Sequence, residues 1–103
     1  MHSVIFVTTA NKKEASSIAQ ALIKNRLAAC VNIISGVESF FRWQGKIDSA
    51  REILLIIKSR KAKIPKIIKL VQSMHSYEVP EIISLPITAG FKPYLRWIDE
   101  SLR

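Results

Sequence analysis

Two side chains in this sequence have the chemistry of soft metal ligands, Cys30 and His75. Cys30 stands in the apolar run AACVNI. A lone cysteine there reads first as a small buried hydrophobe and second as a thiolate for metal or redox work. His75 falls where a helix should end, beside Ser76, Tyr77 and Glu78. A histidine at that point serves either the helix dipole or a metal. Thiolate and imidazole together suit copper or zinc. Two ligands leave a site incomplete, so Glu78, Glu81, water or a neighbouring subunit would supply the remainder. His2, at a terminus expected to be mobile, is a weaker candidate.

Other chemistries lack their signatures. No pair of carboxylates stands out as an acid/base dyad, and HExxH, G-x-S-x-G, Walker and G-x-G-x-x-G patterns are missing. Three widely spaced glycines build no phosphate cradle. Classical hydrolase or dinucleotide chemistry is therefore not expected, which leaves only an unusual catalyst or a non-enzymatic role. The stretch Phe40-Phe41-Arg42-Trp43-Gln44-Gly45-Lys46 mixes aromatic and basic groups. Phe40, Phe41 and Trp43 read chiefly as subunit packing or as the wall of a pocket between subunits, where such pockets favour small molecules. That cleft is expected to gather Trp43, Lys58, Tyr77, Glu78 and Glu81, with Arg42, Lys46 and Lys58 available to meet a small anionic ligand.

The elements that must position these groups follow from pattern. Residues 3–9, SVIFVTT, form a strand by composition. Asn11 and Glu14 have the spacing of a capping box, and Ala15, Ile18, Ala19, Leu22 and Ile23 recur at helical spacing, giving a helix over 12–25. Residues 28–43 and 47–59 read as two long strands joined at Gln44-Gly45-Lys46, an antiparallel hairpin whose tip projects. Gly36 marks a bulge or bend within it. Pro65 opens a helix carrying Ile67, Ile68, Val71 and Met74. Pro80 and Pro86 confine EIISL to a short edge strand, and Pro93 opens a last helix bearing Tyr94, Trp97 and Ile98. Strand, helix, strand, strand, helix, strand and a terminal helix make an α+β, ferredoxin-like order with an antiparallel sheet.

The chain is 103 residues long, enough for a single domain over 1–103. Sixteen Lys and Arg against eight Asp and Glu leave a net charge of +8, which permits nucleic acid, anionic membrane or an acidic small molecule as partner. Nucleic acid is disfavoured, because an RNA-reading sheet carries aromatics on its central strands and EILLIIKS has none. No apolar run approaches the roughly 20 residues that cross a bilayer. Asn11, Lys12 and Lys13 break up any signal-peptide core. One cysteine makes no intrachain disulfide, so the cytoplasm is the expected compartment.

Successive strand residues face opposite ways, yet Ile53, Leu55 and Ile57 alternate with Leu54 and Ile56, and Val4 and Phe6 with Ile5 and Val7. Both faces of the sheet are thus apolar. Leaving one in water forgoes about 1.5–3 kcal/mol per side chain. A partner subunit on the second face is the simplest remedy; the terminal helix folding back is the alternative, and the two can share the task.

The segments RLAACVNI at 26–33, RWQGKI at 42–47, HSYEVPEII at 75–83, LPI at 85–87 and YLRWI at 94–98 together resemble the CutA divalent-cation tolerance family over essentially the whole chain. The resemblance implies a ferredoxin-like homotrimer clasped by its hairpins, a link to tolerance of copper and other divalent cations, and no established reaction. It also implies a likeness to PII-type trimers, which bind small ligands in their clefts. Cys30 and His75 match residues proposed as metal-associated in relatives. Ser76 replaces the proline of a His-Pro-Tyr motif, and Thr8 and Met74 stand where some members have cysteine and histidine, which thins the implied ligand set.

Overall fold

A computed structural model describes residues 1–103. The chain forms β1 (His2–Thr9), α1 (Lys12–Lys24), β2 (Cys30–Trp43), β3 (Lys46–Arg60), a 3-10 turn (Lys61–Lys63), α2 (Ile64–Met74), β4 (Ile82–Pro86) and α3 (Lys92–Ser101). The sheet order is β2-β3-β1-β4, and every neighbouring pair is antiparallel. Each βαβ unit therefore leaves a gap that a strand of the other fills. As Pro80 and Pro86 require, β4 pairs on one side only, with β1.

Local chemistry sets the element ends. Asn11 is extended and its Oδ1 accepts the Glu14 N–H at 2.8 Å, capping α1. The return half of the capping box is not made, because the Glu14 carboxylate accepts hydrogen bonds from Ser76 instead. At the far end Arg26 takes a left-handed φ of 55°. Leu27 N–H then reaches Leu22 O and Arg26 N–H reaches Ile23 O, the bond pair of a Schellman ending. This ending places β2 two residues later than the sequence predicts.

Gln44 and Gly45, both at positive φ, make the two-residue hairpin turn between the paired Trp43 and Lys46. Gly36, at φ 79°, sits in the register shift between Ile34 and Val37, the bulge its position predicted. Beyond it the hairpin leaves the body of the molecule, which measures 45 × 26 × 23 Å.

One face of the sheet is closed within the chain. Ile5, Val7, Leu55 and Ile57 pack against Ala15, Ile18 and Leu22 of α1 and Ile67 and Val71 of α2, all buried. The opposite face is covered only in part. α3 lies across β3 there and fully buries Ile98. Asp99 ties it down by accepting hydrogen bonds from Arg60 and from His2, the latter at 2.9 Å. Ile34, Ile83 and Leu85 remain 45%, 52% and 47% exposed on this face. The terminal helix does fold back, as the alternative reading held, and leaves the rest of the apolar surface open.

Candidate functional site

The segment leaving α2 wraps round one end of the sheet. His75 turns extended at the helix end, and its ring, with no exposed surface, is held from both sides. Nε2–H donates to Thr8 O at 2.6 Å, while Nδ1 accepts the Tyr77 N–H at 3.0 Å. A carbonyl only accepts and a backbone N–H only donates, so these partners fix the neutral tautomer with its proton on Nε2. Glu14 holds the next residue, accepting from Ser76 N–H at 2.7 Å and from its hydroxyl at 3.2 Å. Tyr77, its ring centroid 4.8 Å from that of His75, crosses to the outer face and donates its hydroxyl to Glu52 Oε2 at 3.0 Å. Burial, then the hydrogen bond and negative charge of Glu52, push the phenol up to about 12. Glu52 itself is buried.

Beside this clasp, the part of the hairpin beyond the bulge and the 77–81 turn enclose a cleft of about 640 Å³. Trp43, Tyr77, Glu78 and Glu81 line it together, as the sequence predicts. Phe40 and Phe41 supply apolar wall, and Asp48 and Glu52 add two carboxylates. Four carboxylates and no Lys or Arg line this space. Its electrostatics within one chain favour a cation over the small anionic ligand that Arg42, Lys46 and Lys58 suggested.

Lys58 is the expected cleft residue that is elsewhere. It pairs across the sheet with Cys30 and with Val4, and its ammonium donates to Asn32 Oδ1. Lys58 follows the Trp43 partner Lys46 by twelve strand residues, roughly 40 Å at about 3.3 Å each. The cleft is also poor in the soft donors first considered. Cys30 is half-buried beneath α3, beside the Tyr94 hydroxyl, which is pushed up by burial and then by the thiol. His75 meets β1 at Thr8, four residues from the Val4 level that Cys30 occupies, or about 13 Å along the strand.

Within one chain Cys30 and His75 share no site, and both His75 ring nitrogens already have partners. No three His, Cys, Asp or Glu side chains cluster closely enough to hold a metal, and no buried side-chain polar atom lacks a hydrogen bond. His2 is likewise occupied, in the Asp99 clasp. Sequence reasoning missed Glu14, Asp48 and Glu52. The signal for Asp48 and Glu52 was present: they are the two acids of an outward row that continues with Leu54 and Ile56.

A profile of the CutA1 divalent ion tolerance protein family matches residues 3–101. A chloroplastic CutA protein of Arabidopsis thaliana is 43% identical over 100 residues, covering 97% of this chain but 55% of its own length. The chain thus spans about half of that relative. The divalent-cation tolerance protein CutA of Thermus thermophilus is 43% identical over 101 residues, covering 98% of both chains. The solved structure of the periplasmic divalent cation tolerance protein CutA of Archaeoglobus fulgidus superposes with a TM-score of 0.97 at 44% identity, over 100% of each chain.

Proposed function

Because the chain belongs to the CutA1 divalent ion tolerance family, we propose that it works without catalysis, as a ferredoxin-like homotrimer that binds divalent cations in the cleft beside the hairpin. The observation that carries this reading is the lining of that cleft, with four carboxylates and no basic side chain. Each chain alone holds too few clustered ligands for a closed site. A neighbouring subunit completes it, seated on the face where Ile34, Ile83 and Leu85 stay half exposed and clasped by the projecting hairpin with Phe40 and Ile47. Carboxylate oxygens accept many divalent ions. Copper(II) is the ion expected to bind most tightly, because it heads the divalent series at a given N/O site. The single, unpaired cysteine accords with the cytoplasm as its compartment. No helix is long and apolar enough to cross a membrane.

The test joins mass to affinity. Light scattering should return three times the mass of one chain, and calorimetric titration with Cu(II) and Zn(II) should show saturable binding. Glu52→Gln/Glu78→Gln/Glu81→Gln should weaken that binding while Cys30→Ala/His75→Gln leaves it in place. A soluble particle with the mass of a single chain would refute the trimer. Identical isotherms for wild type and the triple variant would refute the cleft.

A further inference from the structure

At the opposite end of the sheet, where β3 turns into the 3-10 segment and α3 ends, lies a second cavity of about 340 Å³. Arg60, Ala62, Lys63, Asp99, Leu102 and Arg103 line it. Counted over side chains, its charge is the reverse of the cleft's, three cations against one carboxylate. That carboxylate is already committed, since Asp99 accepts from both Arg60 and His2. The Arg60 hydrogen bond, then that of His2, hold its carboxyl below the usual range, so it stays an anion engaged with those two groups.

Lys63 and Arg103 enter no ion pair and no side-chain hydrogen bond within the chain. Arg26 donates to Arg103 O at 2.6 Å, which holds Arg103 at the rim and adds a further guanidinium nearby. Lys61 is adjacent in sequence and exposed. Gathering like charges around a hollow costs electrostatic energy unless an anion enters it.

We propose that this cavity is a binding site for a small soluble ligand bearing a phosphate group. The size falls within the range of small-molecule sites. Arg60 uses one nitrogen on Asp99, so other guanidinium N–H groups remain for the planar, paired hydrogen bonds that arginine makes to phosphate. Lys63 adds a point charge, and the buried Leu102 gives the hollow an apolar floor. A divalent cation is repelled here and an anion is repelled from the cleft, so the two sites take ligands of opposite sign.

Pyrophosphate is the probe, titrated calorimetrically at about 0.15 M salt, where exposed charges are screened. Wild type should show one saturable site per chain. Lys63→Gln/Arg103→Gln should weaken it about tenfold or more, the loss expected for charge-assisted hydrogen bonds. Lys66→Gln/Lys69→Gln removes the same charge from exposed positions on α2 outside the cavity and should leave affinity unchanged. Either single substitution, Lys63→Gln or Arg103→Gln, keeps the test open if the double variant loses its fold. No saturable binding by wild type, or equal weakening in the two double variants, overturns the proposal. Sedimentation with phosphatidylcholine vesicles containing phosphatidic acid separates the sources of phosphate. Capture by those vesicles without pyrophosphate binding also overturns it.

Discussion

The two faces of the sheet are finished by different physics. The inner face is closed by side chains of α1 and α2 packed on Ile5, Val7, Leu55 and Ile57. The outer face carries a comparable apolar row, yet one short helix covers part of it, and polar clasps stand at either end, Tyr77–Glu52 by the cleft and Asp99–Arg60 and Asp99–His2 by the second cavity. The difference teaches where stability ends and function begins. A face that is dry within the chain needs nothing further. A face left half exposed, with ionisable groups at its margins, still has apolar surface to cover and carries groups that respond to charge.

Truncation gives the largest effect. Ile57 is fully buried, and Ile57→Ala should cost about 2–5 kcal/mol in urea unfolding, the range for cavity-forming substitutions in a packed core. Ile83 is 52% exposed, so Ile83→Ala should cost less than about 1 kcal/mol in a single chain, since only part of its transfer energy is realised. Equal costs at high dilution would break the distinction between faces. A cost for Ile83→Ala that grows with protein concentration would sharpen it, because a partner would then be drying the outer surface.

Much of this architecture was legible because it is local or periodic. The alternation of Ile53, Leu55 and Ile57 with Leu54 and Ile56 exposed the two-faced sheet, Asn11 announced α1, and Gly36 announced the bulge. What was hidden depends on long separations. Glu14 belongs by sequence to a capping box, but its carboxylate is used by Ser76, 62 residues away. The His75 ring is held by Thr8, 67 residues away. No spacing rule reports such pairings, so a histidine occupied on both nitrogens looked like a free ligand. The misplacement of Lys58 was of another kind. Strand rise alone separates it from Trp43 by most of the molecule's length, and that arithmetic needed no coordinates.

The clasp at the cleft should respond to alkali, with a smaller effect than the core truncation. Tyr77 has its proton held to about 12 in the folded chain against 10.0 unperturbed. A raised folded value means that the contribution is complete below pH 10 and is lost as pH rises towards 12. Near pH 8, Tyr77→Phe should be less stable than wild type by about 1–3 kcal/mol, since the buried Glu52 loses its donor. The gap should close as the pH approaches 12. Tyr94 is also raised, so the difference between the two proteins is the measurement, and a gap constant across that window would remove Tyr77 from the clasp.

The opposite clasp should respond to acid, and least of all. Asp99 is partly exposed, and its carboxyl is lowered by Arg60 and His2 from the usual 3.8. For a lowered carboxyl the contribution is present above the unfolded value and disappears as pH falls through the folded one. Below pH 4 the tie between α3 and the sheet should therefore weaken while the core of the inner face stays intact. Trp97 lies on α3 and stacks with Tyr94 at 5.5 Å, so its fluorescence reports this helix once Trp43→Phe has silenced the hairpin. In that background, emission should shift below pH 4 before far-ultraviolet circular dichroism changes. Asp99→Asn should bring the shifted emission to neutral pH, because the amide loses the charge that holds both Arg60 and His2. An unshifted spectrum for Asp99→Asn would show that the apolar seat of Ile98 alone retains α3, and the outer face would then be held by the same physics as the inner one.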